Sequence, residues 1–380
     1  MDSRPRIAVT TGALRVPPTY FVLQHAALLA DSYEFEVFAR VADIRDDSQG
    51  VPIYDATRVG GSFGRRSRAS LLFGGAQTRA ISRFEPALVH QHFGTWSEPA
   101  IVAARRAEVP MITTLHGYDV FAGLGAAAEP RSWPRRLGDN TRARSTQAAY
   151  AMSSRLLAAS RYLADRSVEG GADAGKLRVH YQGVDTDYFR PEPVPQSGEP
   201  GIVFVGALTE LKGPGDLVRA SLSLAPRLPH RLVLVGEGHL RPELERATAG
   251  SPHVTFAGRL ARDEVREVMR GAHALVLPTQ LSEGRREAAG LVLLEAQALG
   301  VPVVTYASGG APEMLRDGVT GLVVGERDIA ALTDAIRQLL ELPSAEYRRM
   351  SVQARDFVVR ERSLAASAAE LDTHYRELIG

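Results

Sequence analysis

Glu287 and Glu295 have seven residues between them in the segment Glu283-Gly284-Arg285-Arg286-Glu287-Ala288-Ala289-Gly290-Leu291-Val292-Leu293-Leu294-Glu295-Ala296. Gly290 opens a run of good helix formers that ends near Leu299-Gly300, which puts Glu287 in a loop and Glu295 in the second helical turn. The unpaired N–H groups of such a helix start favour an anion, for example a diphosphate. A carboxylate accepts hydrogen bonds from a pair of sugar hydroxyls. One loop Glu and one helix Glu can therefore grip two polyols on either side of a diphosphate. The competing reading is a pair of exposed surface glutamates. For Glu295 the nearly wholly apolar neighbourhood opposes it, because a carboxylate among such neighbours needs a partner.

Lys212 lies just past the apolar run Val203-Phe204-Val205-Gly206, where an ammonium can meet a phosphate as a point charge. A lone lysine is ordinarily a solvated surface group. Here only two of the 45 basic residues are lysines, Lys176 and Lys212, which favours a specific role. Two further strand-like runs end in glycine, Leu232–Val235 before Gly236-Glu237-Gly238 and Val254–Ala257 before Gly258-Arg259. Gly236 would let a ligand approach the backbone. Arg259 could stack on a nucleobase, or it is a surface arginine.

These groups need a scaffold of strands alternating with helices. At 380 residues the chain has the length of two domains. Strand candidates in the first half are Ile7–Val9, 87–90, Met111–Leu115 and 156–159, with a loop over Thr10–Arg15 and a helix over 20–30. Residues 189–201 are dense in Pro and Gly, which is linker chemistry. A second series follows at 202–205, Arg231–Val235, 254–256, Ala274–Leu277 and 301–305. Ser308–Glu313 and Asp317–Val324 read as loop, helix and hairpin-like turn, with no chemistry of their own. The pattern predicts an α/β protein with two doubly wound, Rossmann-like domains, 1–190 and 201–363. A last helix at 364–380 could pack on either domain.

Taken in order, the pieces between Val203 and Val324 resemble the nucleotide-binding domain of the retaining family-four glycosyltransferases with the GT-B fold. The Glu–seven–Glu spacing followed by Ala-Gln-Ala-Leu-Gly-Val-Pro-Val-Val carries the resemblance, which extends from Ile7 to about Leu378. It implies two Rossmann-like domains facing a cleft, an acceptor-side first domain and a donor-binding second one. It implies that Glu287 contacts donor-sugar hydroxyls, Glu295 holds the ribose diol, and Lys212 neutralises the diphosphate. Backbone N–H groups at Ala289, Gly290 and Leu291 would assist, and no metal or other cofactor is expected. In the first half, Thr11-Gly12-Ala13 resembles the family's glycine loop near the phosphates. Leu88–Gly94 and Thr113–Asp119 resemble segments of exopolysaccharide-type members, the second reading His-Gly-x-Asp. His116 would then reach a donor hydroxyl or the reaction centre, whereas His90 reads as structural. For His92 a structural and a functional reading both stay open, and Asp119 either acts in the site or caps the next segment. The family commonly has Arg where this chain has Ala207, and Arg285 or Arg286 is the candidate substitute. Ala288 and Ala289 also depart from the usual residues.

The implied reaction moves a sugar from a UDP- or GDP-type donor, with retention, to a hydroxyl acceptor such as a polysaccharide or lipid-linked glycan precursor. Alternatives are a secondary-metabolite acceptor, a nucleotide-sugar epimerase, or a pseudo-transferase that binds donor without turnover. A pyridoxal phosphorylase would need a longer chain and its own lysine, and no G-x-G-x-x-G follows a strand as a dinucleotide fold requires. There are no cysteines, so disulfides, thiolate metal sites and cysteine nucleophiles are excluded. No secretory leader or spanning run is legible, which predicts a cytoplasmic protein. The net charge is +1, divided as +5 over residues 1–190 and −4 over the rest. That small surplus argues against a nucleic-acid partner. Between Ala56 and Phe84 stand six arginines (58, 65, 66, 68, 79 and 83) and no acid, with Leu71, Leu72 and Phe73 among them. The stretch is either a solvated face or a peripheral contact with anionic membrane.

Overall fold

The computed structural model describes residues 4–16, 21–45, 49–57, 63, 65–66, 74–123, 133–192 and 200–380. The chain divides into two units, Met1–Gln182 with Leu364–Gly380, and Gly183–Ser363. The first unit therefore ends at Gln182, ahead of the Pro-rich segment. Residues 183–190 belong with the second unit, where Arg355 Nη atoms donate to Thr186 O at 2.9 Å and Phe189 O at 2.6 Å.

The first unit is a parallel sheet in the order β3-β2-β1-β4-β5-β6-β7. Its strands are β1 (Arg6–Val16), β2 (Glu34–Ile44), β3 (Ile53–Asp55), β4 (Leu88–His92), β5 (Met111–Leu115), β6 (Arg155–Ala158) and β7 (Leu177–Val179). Between them run α1 (Phe21–Leu28), α2 (Gly74–Phe84), α3 (Glu98–Ala107), α4 (Tyr118–Gly123), α5 (Trp133–Met152) and α6 (Arg161–Glu169). All five residues of β4 and of β5 are buried, as expected of parallel strands covered on both faces. Alternate residues of β1 feed opposite cores. Ile7 and Val9 pack with Leu371 and Tyr375, whereas Ala8 packs with Phe38, Ile81 and Val89.

The loop expected over Thr10–Arg15 is strand instead. β1 runs on beside β2 to the pair Val16–Ile44, so pairing overrides the weak strand propensity of Gly12-Ala13. Gly12 thus lies within a strand, and a Cβ there would overlap the Trp96 ring. Close packing with Trp96 accounts for the glycine.

The last helix, α13 (Leu364–Ile379), belongs to the first unit, although α12 (Ser344–Glu361) immediately before it belongs to the second. Tyr375 meets the Tyr33 ring edge-on at 5.5 Å between centroids, and its hydroxyl bonds His90 Nδ1 at 2.6 Å.

The second unit holds a parallel sheet ordered β10-β9-β8-β11-β12-β13. Its strands are β8 (Gly201–Val205), β9 (Arg231–Val235), β10 (Val254–Gly258), β11 (Ala274–Leu277), β12 (Val303–Tyr306) and β13 (Gly321–Val324). The helices are α7 (Pro214–Leu224), α8 (Arg241–Ala247), α9 (Arg262–Arg270), α10 (Leu291–Ala298), α11 (Ile329–Leu340) and α12. The hairpin-like turn expected near Asp317–Val324 is not one: β13 is a sixth parallel strand beside β12. No helix among the described residues is long and apolar enough to cross a membrane.

Candidate functional site

In open parallel sheets ligands bind beyond the carboxyl ends of the strands. In the second unit those ends carry Gly206, Gly236, Gly258, Pro278 and Ser308. Lys212 closes a 3-10 turn (Glu210–Lys212) after β8. Gly213 follows with φ +69°, and a Cβ there would overlap Pro278 O. Gln280 N donates to Leu211 O at 2.9 Å, fixing the same turn against the loop after β11. Lys212 Nζ is ion-paired with Glu287, and both side chains are largely buried.

Glu287 is held by its backbone as well. Gly310 N donates to Glu287 O at 2.9 Å, and a Cβ on Gly309 (φ +63°) would overlap that same oxygen. The Ser308–Gly310 segment, read as carrying no chemistry, is thus the support of the Glu287 loop. The signal in the sequence is the Gly309-Gly310 pair after a strand.

Gly290, at φ +87°, is the N-cap of α10. Glu295 falls in the second turn of that helix, half-buried, as its spacing predicts. Ala289 is buried and Leu291 half-buried at the helix start. Gly236 (φ +136°) has a structural reason of its own, since a Cβ would overlap Gly206 O. Arg259 is exposed after Gly258 and makes no ion pair among the described residues. Arg286 bonds Ser308 Oγ at 3.0 Å and pairs with Glu326, and Arg285 pairs with Glu283 at 2.9 Å. Both candidates for the charge missing at Ala207 are therefore already engaged.

In the first unit the strand ends gather histidines. His116 follows β5, with Nε2 3.0 Å from His92 Nδ1 and Nδ1 2.6 Å from Gln182 Nε2. Both of its ring nitrogens are thus occupied by the chain itself. Phe93 and Phe21 flank the ring at 4.4 and 4.8 Å between centroids. Burial and then the neighbouring His92 hold His116 well below the ordinary imidazole range, so it is neutral. Burial brings His92 down to about 3. His90 bonds Tyr375 and Thr114 (Oγ1, 2.7 Å) and is structural. Asp119 is buried and accepts from three backbone N–H groups: Gly94 at 2.8 Å, His116 at 3.1 Å and Gly117 at 2.9 Å. It caps, and it ties the loop after β4 to the loop after β5. Gln182 was not found from sequence, because 66 residues separate it from His116.

Arg66 of the arginine stretch is turned inward, paired with Asp55 and bonded to Ala42 O at 3.2 Å. Arg65, Arg79 and Arg83 are exposed. Arg58, Arg68 and Leu71–Phe73 lie outside the described residues, and the membrane reading with them. Among the described residues no three His, Asp or Glu are grouped to hold a metal ion.

Residues 19–188 match the family described as Glycosyltransferase Family 4, and residues 185–357 match Glycosyl transferases group 1. The D-inositol 3-phosphate glycosyltransferase of Rhodococcus erythropolis is 30% identical over 391 aligned residues, spanning 90% of this chain and 85% of that one. The GDP-mannose-dependent alpha-(1-6)-phosphatidylinositol monomannoside mannosyltransferase of Mycobacterium tuberculosis is 32% identical over 261 residues, 64% of each chain. The Anabaena protein HepE, solved in complex with UDP, superposes with a TM-score of 0.75 at 17% identity, covering 98% of this chain and 100% of its own. The paired Rossmann-like units and the matches at both ends of the chain lead to one assignment: the protein belongs to the family-four glycosyltransferases of GT-B fold.

Proposed function

We propose that this glycosyltransferase moves a sugar from a nucleoside diphosphate donor to an acceptor hydroxyl with retention of configuration and without a metal. The observation that carries the reading is Lys212 paired with Glu287 beside the start of α10, whose second turn holds Glu295. When donor binds, Lys212 turns from Glu287 to the diphosphate, and the first N–H groups of α10 share that charge. Glu287 then accepts from sugar hydroxyls, and Glu295 from the ribose diol. The bond from the anomeric carbon to the diphosphate oxygen breaks, and the acceptor oxygen bonds that carbon from the same face. The acceptor proton passes to the leaving phosphate, which becomes the nucleoside diphosphate product. His116, neutral, offers an N–H or a lone pair to a donor hydroxyl once His92 or Gln182 releases it.

A UDP- or GDP-sugar is the proposed donor, supported by the UDP in HepE and the GDP-mannose dependence of the mycobacterial relative. The acceptor is proposed to be a polyol-bearing glycan precursor, lipid-linked or free, in keeping with the substrates named for the two relatives. Ala207, exposed where the family commonly has Arg, supports a second reading as a binder without turnover. Incubation with UDP-, GDP-, dTDP- and ADP-sugars separates the two. Slow release of one nucleoside diphosphate, with the α-anomer retained in the product by proton NMR, supports the transferase. Binding without release, across an acceptor panel, supports the binder.

A further inference from the structure

Arg40 is an unusual residue to find inside a parallel sheet. It sits on β2 and is only 6% exposed. Its Nε is sealed from solvent and has no hydrogen-bond partner among the described residues. The nearest acid is Glu98, at 3.9 Å from Nη2, beyond hydrogen-bond reach, and Glu98 itself is half in water. A buried guanidinium without hydrogen-bonded acceptors is costly, and such groups are normally paired.

Its location is specific. β1 and β2 pair Thr11 with Ala39 and Ala13 with Val41, so Arg40 is level with Gly12. The β1–β4 ladder stops at Thr10–Gln91, one turn of the pleat short of that level. Strand order reverses between β1 and β4, and the crevice beyond the carboxyl ends at such a switch point is where open α/β sheets take ligands. Trp96 lies over Gly12 with its backbone at φ +58°, a conformation non-glycine residues seldom adopt. On the same side, Gln77 donates through Nε2 to Thr11 O and Phe38 O, while its buried Oε1 has no partner among the described residues. The corner thus holds an unanswered cationic donor and an unanswered acceptor.

We propose that Arg40 receives an oxyanion carried by the acceptor substrate, a phosphate or carboxylate, so that the transferase prefers an anionic acceptor. This rests on the transferase reading above. The planar guanidinium fork matches either oxyanion with two parallel N–H···O bonds, and a low-dielectric corner strengthens them. Glu98, on the exposed start of α3, swings into solvent as the anion takes its place. A hydroxyl of the bound group, or a protonated phosphate oxygen, can donate to Gln77 Oε1.

The test uses the full chain as wild type, Arg40→Met and Arg40→Lys. Methionine keeps the volume and removes the buried charge, so the variant folds and its melting temperature without ligand is equal or higher. Inorganic phosphate and acetate are titrated by thermal shift, where any phosphate bound at the diphosphate subsite contributes equally to all three proteins. Wild type is expected to gain protection that Arg40→Met lacks and Arg40→Lys partly restores. A preference for phosphate or for acetate distinguishes the two oxyanions. Acceptor panels then compare a polyol phosphate and a sugar acid with their neutral parents. The anionic acceptor's KM is expected to rise at least tenfold in Arg40→Met, with donor hydrolysis unchanged. Equal protection of wild type and Arg40→Met, or equal use of charged and neutral acceptors by wild type, overturns the proposal. A rise in donor KM instead moves the anion to the donor and overturns it as stated. If no donor is hydrolysed, the transferase reading fails while the titration still decides whether Arg40 binds an anion.

Discussion

Acid should unfold the first unit well before the second. Four of its histidines, His25, His90, His92 and His180, are fully buried, and burial is the largest influence lowering each of them. They bond Ser367, Tyr375, Thr114 and His116 rather than water. In the unfolded chain each protonates near pH 6.5. The sign follows: below that pH the unfolded state takes up protons that the fold refuses, so stability is full above about 6.5 and falls as pH drops. A group that stays neutral in the fold removes about 1.4 kcal/mol by pH 5.5, so His25, His90 and His92, all held well below the ordinary range, together remove roughly 4 kcal/mol, and the lowered His180 adds to that loss. That is a large share of the about 5–15 kcal/mol of an ordinary domain. Both tryptophans, Trp96 and Trp133, lie in the first unit, so tryptophan fluorescence reports it alone. Melts at pH 7.5, 6.5 and 5.5 should show a steep drop in the fluorescence midpoint, and His25→Asn should make it shallower by about one proton. A midpoint that stays constant from pH 7.5 to 5.5 would mean that the buried histidines do not set the acid stability of the first unit.

Replacing Asp119 strands three backbone donors, each worth about 1–3 kcal/mol when buried and abandoned, less what is regained by not burying a charge. Asp119→Ala should therefore cost about 3 kcal/mol in denaturant titration. Asp119→Asn should cost roughly half, because Oδ1 still serves His116 and Gly117 while the amide nitrogen opposes Gly94 N–H. Gly309→Ala combines a left-handed backbone with overlap on Glu287 O, a penalty of about 2–4 kcal/mol, and should raise the donor KM by displacing the Glu287 loop. Lys212→Ala should lower kcat by roughly 10²-fold, the scale seen when one preorganised charge-stabilising donor is lost. An unchanged kcat would remove Lys212 from the leaving-group role.

Short apolar runs bounded by Pro, Gly or charge were legible to the residue, as at Met111–Leu115, Arg231–Val235 and Ala274–Leu277. So was the loop-and-helix placement of Glu287 and Glu295, because Gly290 marks the helix start by its own backbone requirement. Thr10–Arg15 was not, since its strand depends on pairing with β2 rather than on propensity. The apolar spacing Leu364, Ala368, Leu371, Tyr375 shows that α13 buries one face. Contacts far apart in sequence, such as Tyr375 with Tyr33 and Phe35, decide that it returns to the first unit. Gln182 on His116 was invisible for the same reason, since a hydrogen bond between distant segments leaves no period in the sequence, and for Gly310 on Glu287 the Gly309-Gly310 pair was the one hint. The pairing of Arg286 with Glu326 spans 40 residues and was equally illegible in the sequence.

The most direct measurement is calorimetric titration of the nucleotide sugar selected by turnover into wild type, Glu287→Ala and Glu295→Ala. The expected result is binding by wild type, at least tenfold weaker binding of nucleotide sugar and free nucleotide alike in Glu295→Ala, and weakening of the nucleotide sugar but not of the free nucleotide in Glu287→Ala. Equal affinities in all three well-folded proteins would contradict the assignment of the donor to the strand ends of the second unit.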